Sequence, residues 1–586
     1  MNQYPYQDAS LPAEQRAEDL LQRLSLEDKA GLMFQAMTSY TTLEQGDDVM
    51  GIEPLRDMVE KRKMNHFNIT GSASTAREAA EFNNQAQQIA KESGWGIPIT
   101  FSSDPRHAFT DNPLTSMLAG PFSQWPETLG LAALHDPEAV RNFADIARQE
   151  YVAVGMREAL HPQIDLATEP RWARTNGTFG EDAELTSQLG AAYIKGLQQE
   201  HFGPGSVSAM AKHFPGGGPQ KDGEDPHFEY GKDQVYPGNN QEYHLKPFLA
   251  AIDAGVRQMM PYYGKPVGTE WEEVGFGFNR DVLTGLLREK LGFQGIICTD
   301  WGLLTDVEMM GDPFPARAWG VENLSREERL LKSLYAGADQ FGGEMCVEVL
   351  IDVVKSGKVP EARLDESVRR LLNEKFLLGL FDDPFVDATA AQQIVGCDEF
   401  REAGMRAQSE SVVVLENKEG AARLPIAPGI KVYLEGMSSQ VLPTGVRPVI
   451  DPSQADVAII RTKAPFEPRP GGFESMFHAG SLEFPEKDLE HIRSVAEAVP
   501  TLVDVYLDRP AILGPIPELA GALTVSFGTS DQAYADAIFG KVTPKGRLPF
   551  DLPSSMAAVE ASREDMPFDT ANPLYHFGDG QVVAAA

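Results

Sequence analysis

Gly295-Ile296-Ile297-Cys298-Thr299-Asp300-Trp301-Gly302 is a run of β-branched and apolar residues that stops at a carboxylate followed by an indole. Its length and its bounding glycines predict a buried parallel strand that delivers Asp300 to its C-terminal end. Barrel enzymes carry their chemistry at that end of their strands. A single Asp in such a place more often caps the following helix, so the weight of this reading comes from the rest of the chain.

Working outward, the chain to residue 385 alternates helical patterns with short apolar strands. Residues 11–33 open it as an amphipathic helical stretch, with Leu20, Leu21, Leu24 and Leu32 at helical spacing. Strands are predicted at 97–101, 158–161, 207–211, 256–260 and 295–299, with Ala-, Glu- and Leu-rich helices between them, for example at 137–154 and 183–200. That alternation predicts parallel βα units and a (β/α)8-type, TIM-like barrel over residues 1–385. The pattern breaks at Phe381-Asp382-Asp383-Pro384-Phe385, and 386–398 reads as a linker. A second α/β segment, 399–586, follows with a helix near 399–411 and apolar runs at 411–415, 431–434, 457–460, 501–506 and 522–526. This predicts an α/β sandwich domain with a mostly parallel sheet. There is no Walker pattern, and Gly275-Phe276-Gly277-Phe278-Asn279-Arg280 fails at the third glycine of the dinucleotide fingerprint. No organic cofactor is implied.

At 586 residues the chain is too long for one ordinary core. Its 86 acidic against 51 basic residues give a formal charge of −35, which repels nucleic acid and anionic membranes but not a neutral small molecule. Cys298, Cys346 and Cys397 are widely spaced, form no CxxC pair, and read as reduced thiols rather than a disulfide framework or zinc site. Met1-Asn2-Gln3-Tyr4-Pro5-Tyr6-Gln7-Asp8 has neither a basic n-region nor an apolar h-region, and no apolar run reaches spanning length. The expectation is a cytoplasmic protein. Oligomeric state is not legible.

Polar residues recur at or just past the predicted strand ends: Asp104, Arg174, Lys212-His213, Tyr262 and Asp300. One means little; five in series predict a shared pocket on the barrel's catalytic face. Lys212-His213 is followed by Phe214-Pro215-Gly216-Gly217-Gly218, whose glycines permit close approach of a ring or unusual dihedrals. An indole beside a carboxylate, as at Trp301, suits a sugar ring with its apolar C–H face and its hydroxyl rim.

With Thr168-Glu169-Pro170-Arg171-Trp172-Ala173-Arg174 and Phe179-Gly180-Glu181-Asp182 added, the chain resembles family 3 glycoside hydrolases. Members carry D-P-R-W-G-R…F-G-E-D, then K-H-F, then a strand ending S-D-W or T-D-W, in this order. Ser103-Asp104-Pro105-Arg106-His107, Met259-Met260-Pro261-Tyr262 and Gly546-Arg547-Leu548-Pro549-Phe550 extend the likeness over nearly the whole chain. The resemblance implies a barrel followed by a sandwich domain, here without the fibronectin-like domain of many relatives, and an active site between the two. It implies that Asp300 is the catalytic nucleophile, that Asp104, Arg174, Lys212, His213 and Tyr262 hold the terminal sugar's hydroxyls, and that Trp301 lines the subsite. Charge-assisted hydrogen bonds suit that task. Glu169 stands where the family has Asp and Ala173 where it has Gly, so the local backbone is expected to differ.

A retaining glycosidase needs a nucleophile and an acid/base roughly 5–5.5 Å apart. Asp300 must stay ionised, which neighbouring Lys212 and Arg174 favour; the acid needs a raised pKa. In many two-domain relatives the acid is a Glu on a sandwich-domain loop, here 461–484, but the usual G-E-x-P-Y arrangement is absent and Lys463 sits near where its Glu aligns. Glu474, in an aromatic, glycine-rich setting, is the favoured acid; Glu467, beside Arg469, reads as ion-paired. A third candidate is His227 in Asp225-Pro226-His227, because the N-acetylglucosaminidase branch uses an Asp-x-His dyad in this loop. A metal site from Asp222, Asp225 and His227 lacks diagnostic spacing. The expected activity is that of an exo-acting retaining β-glucosidase. A β-xylosidase, a β-N-acetylglucosaminidase, a transglycosylase and a catalytically silent sugar binder are the alternatives.

Overall fold

The computed structural model describes residues 4–110, 112 and 116–583; Met1, Asn2 and Gln3 of the N-terminal reading lie outside them. Eight strands form one all-parallel sheet in chain order: Phe34–Ser39, His66–Thr70, Thr100–Ser103, Met156–Ala159, Ser208–Phe214, Gln258–Pro261, Ile296–Ile297 and Phe341–Gly342. The eighth pairs with the first, Phe341 opposite Phe34, and a bridge between Cys298 and Gln340 joins it to the seventh. The sheet is therefore a closed barrel. Each strand is followed by a helix, from Leu55–Glu60 and Ala76–Glu92 through Pro137–Val154 and Ala183–Gln198 to Val347–Lys355.

Local chemistry explains where these helices start and stop. In Pro137–Val154 the Asp136 side chain accepts from the backbone N–H groups of Glu138 and Ala139, proline stands at the first helical position, and Gly155 ends the helix at φ 88°. The predicted opening helix is two, Ala13–Leu21 and Leu26–Leu32. Ser25 forms a capping box with Asp28 and restarts the chain, which a continuous leucine pattern does not reveal. The segment read as a linker contains a helix, Ala388–Ile394, capped by Asp387.

Three barrel strands were not predicted: the first, second and eighth. The barrel interior is partly polar, and Gln35 of the first strand donates to Ser102 at 2.9 Å and to Glu158 at 2.8 Å. Polar residues facing inward erase the apolar run that marks a buried strand. The eighth strand is only two residues long.

The second sheet has six strands in the order Val413–Asn417, Ala522–Ser526, Thr501–Tyr506, Val457–Lys463, Lys431–Glu435 and Arg447–Val449. Only Val413–Asn417 runs antiparallel to its neighbour. Leu129 and Ala133, on the barrel-side helix Thr128–Ala133, are buried in the apolar core of this sandwich. Main-chain bonds from Glu127 to Phe527 and from Arg547 to Ala133, each 2.9 Å, stitch the same seam. Among the described residues no helix is long and apolar enough to cross a membrane.

Candidate active site

Asp300 lies three residues past the seventh strand, at the C-terminal rim of the barrel, and is 7 % exposed. Its Oδ1 accepts the Trp301 backbone N–H at 2.8 Å. Its Oδ2 is buried, has no hydrogen-bond partner among the described residues, and lies 3.7 Å from His213 Nε2. One carboxylate oxygen is thus tethered, while the other takes no hydrogen bond from the described residues.

The segment that carries Asp300 is held from behind. Tyr263 Oη and Arg317 donate to the Trp301 carbonyl at 2.9 and 2.7 Å. Glu344 accepts from the Leu304 and Thr305 backbone N–H groups and from the Thr305 hydroxyl. The Trp301 indole packs over Gly342 and Gly343, where any Cβ would strike the ring.

Lys212 and His213 lie inside the fifth strand rather than after it. Register against the sixth strand shifts between Lys212 and Phe214, and an irregularity of this kind re-aims side chains so that two neighbours serve one site. Lys212 Nζ pairs with Asp104 Oδ1 at 2.9 Å. Asn68, from the second strand, donates to Asp104 Oδ2 at 3.0 Å. Burial raises the Asp104 pKa, but Lys212 and Asn68 outweigh it and hold the carboxyl below its ordinary range. Arg106, fully buried, bonds Ser103 Oγ and the carbonyls of Ile69 and Gly71, and so fixes the turn that presents Asp104.

His213 Nδ1 bonds Asp165 Oδ2 at 2.7 Å. Burial, with the Arg174 cation, pushes the imidazole pKa well down, so a neutral ring faces Asp300. Arg174 is buried on the loop after the fourth strand, and Tyr262, Asp225, Asp300 and Asp165 all act on its charge. The buried Tyr262 ring lies 4.6 Å from that of His213, its hydroxyl is 3.5 Å from Asp225 Oδ2, and the Asp300 carboxylate also acts on it. The phenol beside Asp300 is that of the next residue, Tyr263, whose pKa is pushed far up by burial and then by the Asp300 carboxylate. The glycine run packs closely against protein, and Gly216 takes a φ of 120°. A Cβ on Gly218 would lie 1.7 Å from the Leu166 carbonyl oxygen, and one on Gly217 2.7 Å from the Tyr262 ring.

The three acid/base candidates separate in space. Glu474 is half-buried at the rim and accepts Tyr230 Oη at 2.6 Å; Tyr230 is itself 50 % exposed. Glu467 is exposed and accepts the Ser481 N–H at 3.2 Å, while Arg469, its expected partner, pairs with Glu224 at 2.8 Å. His227 reaches the group around Asp300: its ring centre is 4.7 Å from that of Tyr263, and it is one of the groups that act on His213. Its Nδ1 bonds Asp225 Oδ1 at 2.5 Å. Burial raises the Asp225 pKa, but His227 above all, and then Arg174, hold the carboxyl down. Trp319 Nε1 donates to the Pro226 carbonyl at 2.7 Å and steadies the dyad loop. The sandwich loop roofs this corner with Phe473 and Phe477, 6.0 and 5.0 Å from the His227 ring. Among the described residues no group of three or more His, Cys, Asp or Glu could hold a metal ion.

Sequence reading missed Asn68, Asp165, Tyr263, Arg317 and Glu344. Tyr263 adjoins a named Tyr, and Asp165 opens the segment that leads to Glu169, so position alone could have flagged these two. The other three carry no local signal.

Two family models match the chain: the glycosyl hydrolase family 3 N terminal domain over residues 49–374 and the glycosyl hydrolase family 3 C-terminal domain over 398–582. A probable β-glucosidase C of Aspergillus flavus is 51 % identical over 582 residues, 99 % of this chain and 92 % of the relative. A periplasmic β-glucosidase/β-xylosidase of Dickeya chrysanthemi is 42 % identical over 98 % of this chain and 91 % of its own length. Among solved structures, the β-glucosidase of Listeria innocua in complex with isofagomine superposes with a TM-score of 0.76 at 21 % identity, covering 97 % of this chain and 83 % of that one.

Proposed function

Because the chain belongs to glycosyl hydrolase family 3 and is a glycoside hydrolase, we propose that it is an exo-acting retaining β-glucosidase. Its substrates are short β-glucosides and oligosaccharides, from which it removes the terminal non-reducing β-D-glucosyl residue. One observation carries this reading: the buried Asp300 Oδ2, unpartnered among the described residues, lies 3.7 Å from His213 Nε2, with Arg174 acting on the Asp300 carboxylate and the Lys212–Asp104 pair adjoining through Lys212's action on His213. Those groups match the donors and acceptors of a sugar's hydroxyl rim. The Aspergillus and Dickeya relatives, named for β-glucosidase activity at 51 % and 42 % identity, support the same substrate class.

Asp300 Oδ2 attacks the anomeric carbon as the aglycone leaves, forming a glycosyl ester. The aglycone oxygen takes a proton from the acid. Water then gives a proton back to that group and displaces Asp300, so the configuration is retained. Asp104, Lys212, His213 and Arg174 hold the sugar, with Trp301 beside it. We assign the proton transfer to His227, held by Asp225 on Nδ1, because it alone of the three candidates adjoins the Asp300 group. Glu474 is the second reading; its bond to Tyr230 brings the sandwich loop to the same rim. A cytoplasmic setting is kept on the three cysteines, none of them in a disulfide; release with the periplasmic or culture fraction would overturn it.

His227→Ala and Glu474→Ala, assayed in parallel, test the assignment. Loss of the acid is expected to lower kcat/KM on cellobiose by about 10²–10⁴-fold and to leave 2,4-dinitrophenyl β-glucoside nearly unaffected, with azide restoring turnover. If Glu474→Ala shows this signature and His227→Ala does not, the proton belongs to Glu474. A fluoroglucoside that fails to label Asp300, or a first-formed α-anomer, would sink the retaining mechanism itself.

A further inference from the structure

Asp508-Arg509 follows the sandwich strand Thr501–Tyr506 and touches separate pieces of both domains. The Arg509 side chain is fully buried, and its guanidinium donates to four main-chain carbonyls: Arg171 at 2.9 Å, Pro465 at 2.9 Å, Gly480 at 3.1 Å and Ala479 at 3.4 Å. Pro465 and Ala479-Gly480 are the two roots of the sandwich loop that carries Phe473, Glu474 and Phe477. Arg171 is on the barrel, three residues before Arg174. Asp508 bonds His478 of the same loop and accepts the Asn112 side-chain N–H at 3.2 Å from the barrel. Phe466 stacks on the His478 ring with centres 3.7 Å apart.

We propose that Arg509 is a positioning residue for the reaction, fixing the sandwich loop against the barrel so that its aromatic roof and Glu474 meet the rim at His227 and Tyr230. This rests on the reading of that rim as the catalytic centre. Four carbonyl dipoles converge on one cation, and only a planar fork with five donors can serve them together; a lysine ammonium supplies three donors from a single point. Among the described residues none of Arg509's hydrogen bonds reaches Asp104, Arg174, Lys212 or His213, so displacing the loop should spare sugar binding while disturbing departure of the aglycone. Displacements of about 1 Å at this distance from the chemistry cost on the order of 10²-fold in rate.

The test uses the full chain with Arg509→Lys and Arg509→Ala, glucose as a competitive inhibitor, and two substrates. Inhibition by glucose is expected to stay within about twofold, while kcat/KM falls about 100-fold on cellobiose and less than about tenfold on 2,4-dinitrophenyl β-glucoside. Guanidinium ion added to Arg509→Ala should recover part of the cellobiose activity. Equal loss on both substrates, loss of glucose inhibition, or no loss in Arg509→Lys overturns the proposal; should the alanine variant not fold, the lysine variant decides alone. A wild-type chain inactive on every aryl β-glycoside would sink the proposed function and this role with it. An active wild type with unselective variants sinks the role of Arg509 alone.

Discussion

Asp104 and Asp300 are both rim carboxylates, and they are held in opposite ways. Asp104 is bonded at both oxygens, to Lys212 and Asn68, and its ionised form is secured. Asp300 keeps one oxygen without a hydrogen-bond partner among the described residues. A group that binds gains from being fixed at both atoms, whereas a group that attacks must keep a lone pair available. Asn68 itself accepts from Ser102 at 3.2 Å, which links Asp104 down to Gln35 and Glu158 in the barrel interior. Asn68→Leu removes a hydrogen bond to a charged group, worth about 1.5–3 kcal/mol, so kcat/KM on aryl β-glucosides should fall about 10–100-fold, chiefly through KM. Steady-state kinetics with an unchanged KM would show that Asn68 does not set the binding geometry. The sequence made Asp104 legible through its motif. It could not show Asn68, because a lone Asn in an unremarkable run becomes a partner only when the second strand lies beside the third.

The barrel seam is decided by glycine at Phe341–Gly342. A Cβ on Gly342 would lie 2.4 Å from the Thr299 carbonyl oxygen and 2.7 Å from the Trp301 ring. Gly342→Ala must therefore push the closing strand from the segment bearing Asp300. The expected cost is about 1–3 kcal/mol of stability with a loss of at least about tenfold in kcat/KM, read by thermal melts, kinetics and a shift in tryptophan emission. Unchanged emission and activity would mean that the seam is compliant. The well-capped helix Pro137–Val154 was legible to the residue, as were the strands Thr501–Tyr506 and Ala522–Ser526, whereas the Ile- and Val-dense strands Ile296–Ile297 and Val457–Lys463 differ from their apolar runs by two or three residues at an end. The seam was not: two residues carry no period, and their pairing depends on the sheet having already curled through seven other strands.

At the scale of the whole molecule, Glu181 joins the domains. Its carboxyl is buried and accepts the Asp551 and Phe568 backbone N–H groups at 2.8 Å each. Burial, with the nearby Asp551 and Asp182 carboxylates, pushes its pKa from 4.5 up to about 8. The folded chain therefore keeps a proton that the unfolded chain loses, and the stability so gained is complete below the ordinary value and is lost as pH rises toward about 8. Each pH unit in that window costs at most about 1.4 kcal/mol. The melting temperature should fall from pH 5 to pH 8, and Glu181→Gln, which holds no proton to lose, should flatten the slope. An equal slope in the variant, measured by calorimetry, would show that Glu181 already titrates in the ordinary range. By itself the sequence determined the two-domain α/β order and most of the carboxylates and cations around Asp300, because strand periodicity and ordered motifs are local. Only the tertiary structure decided that Lys212 pairs with Asp104, that the His227 ring meets Tyr263 while Glu474 accepts from Tyr230, and that Arg509 binds both domains. Each of these is a distance between residues far apart in the chain, set by barrel closure and by the seam on which the sandwich rests.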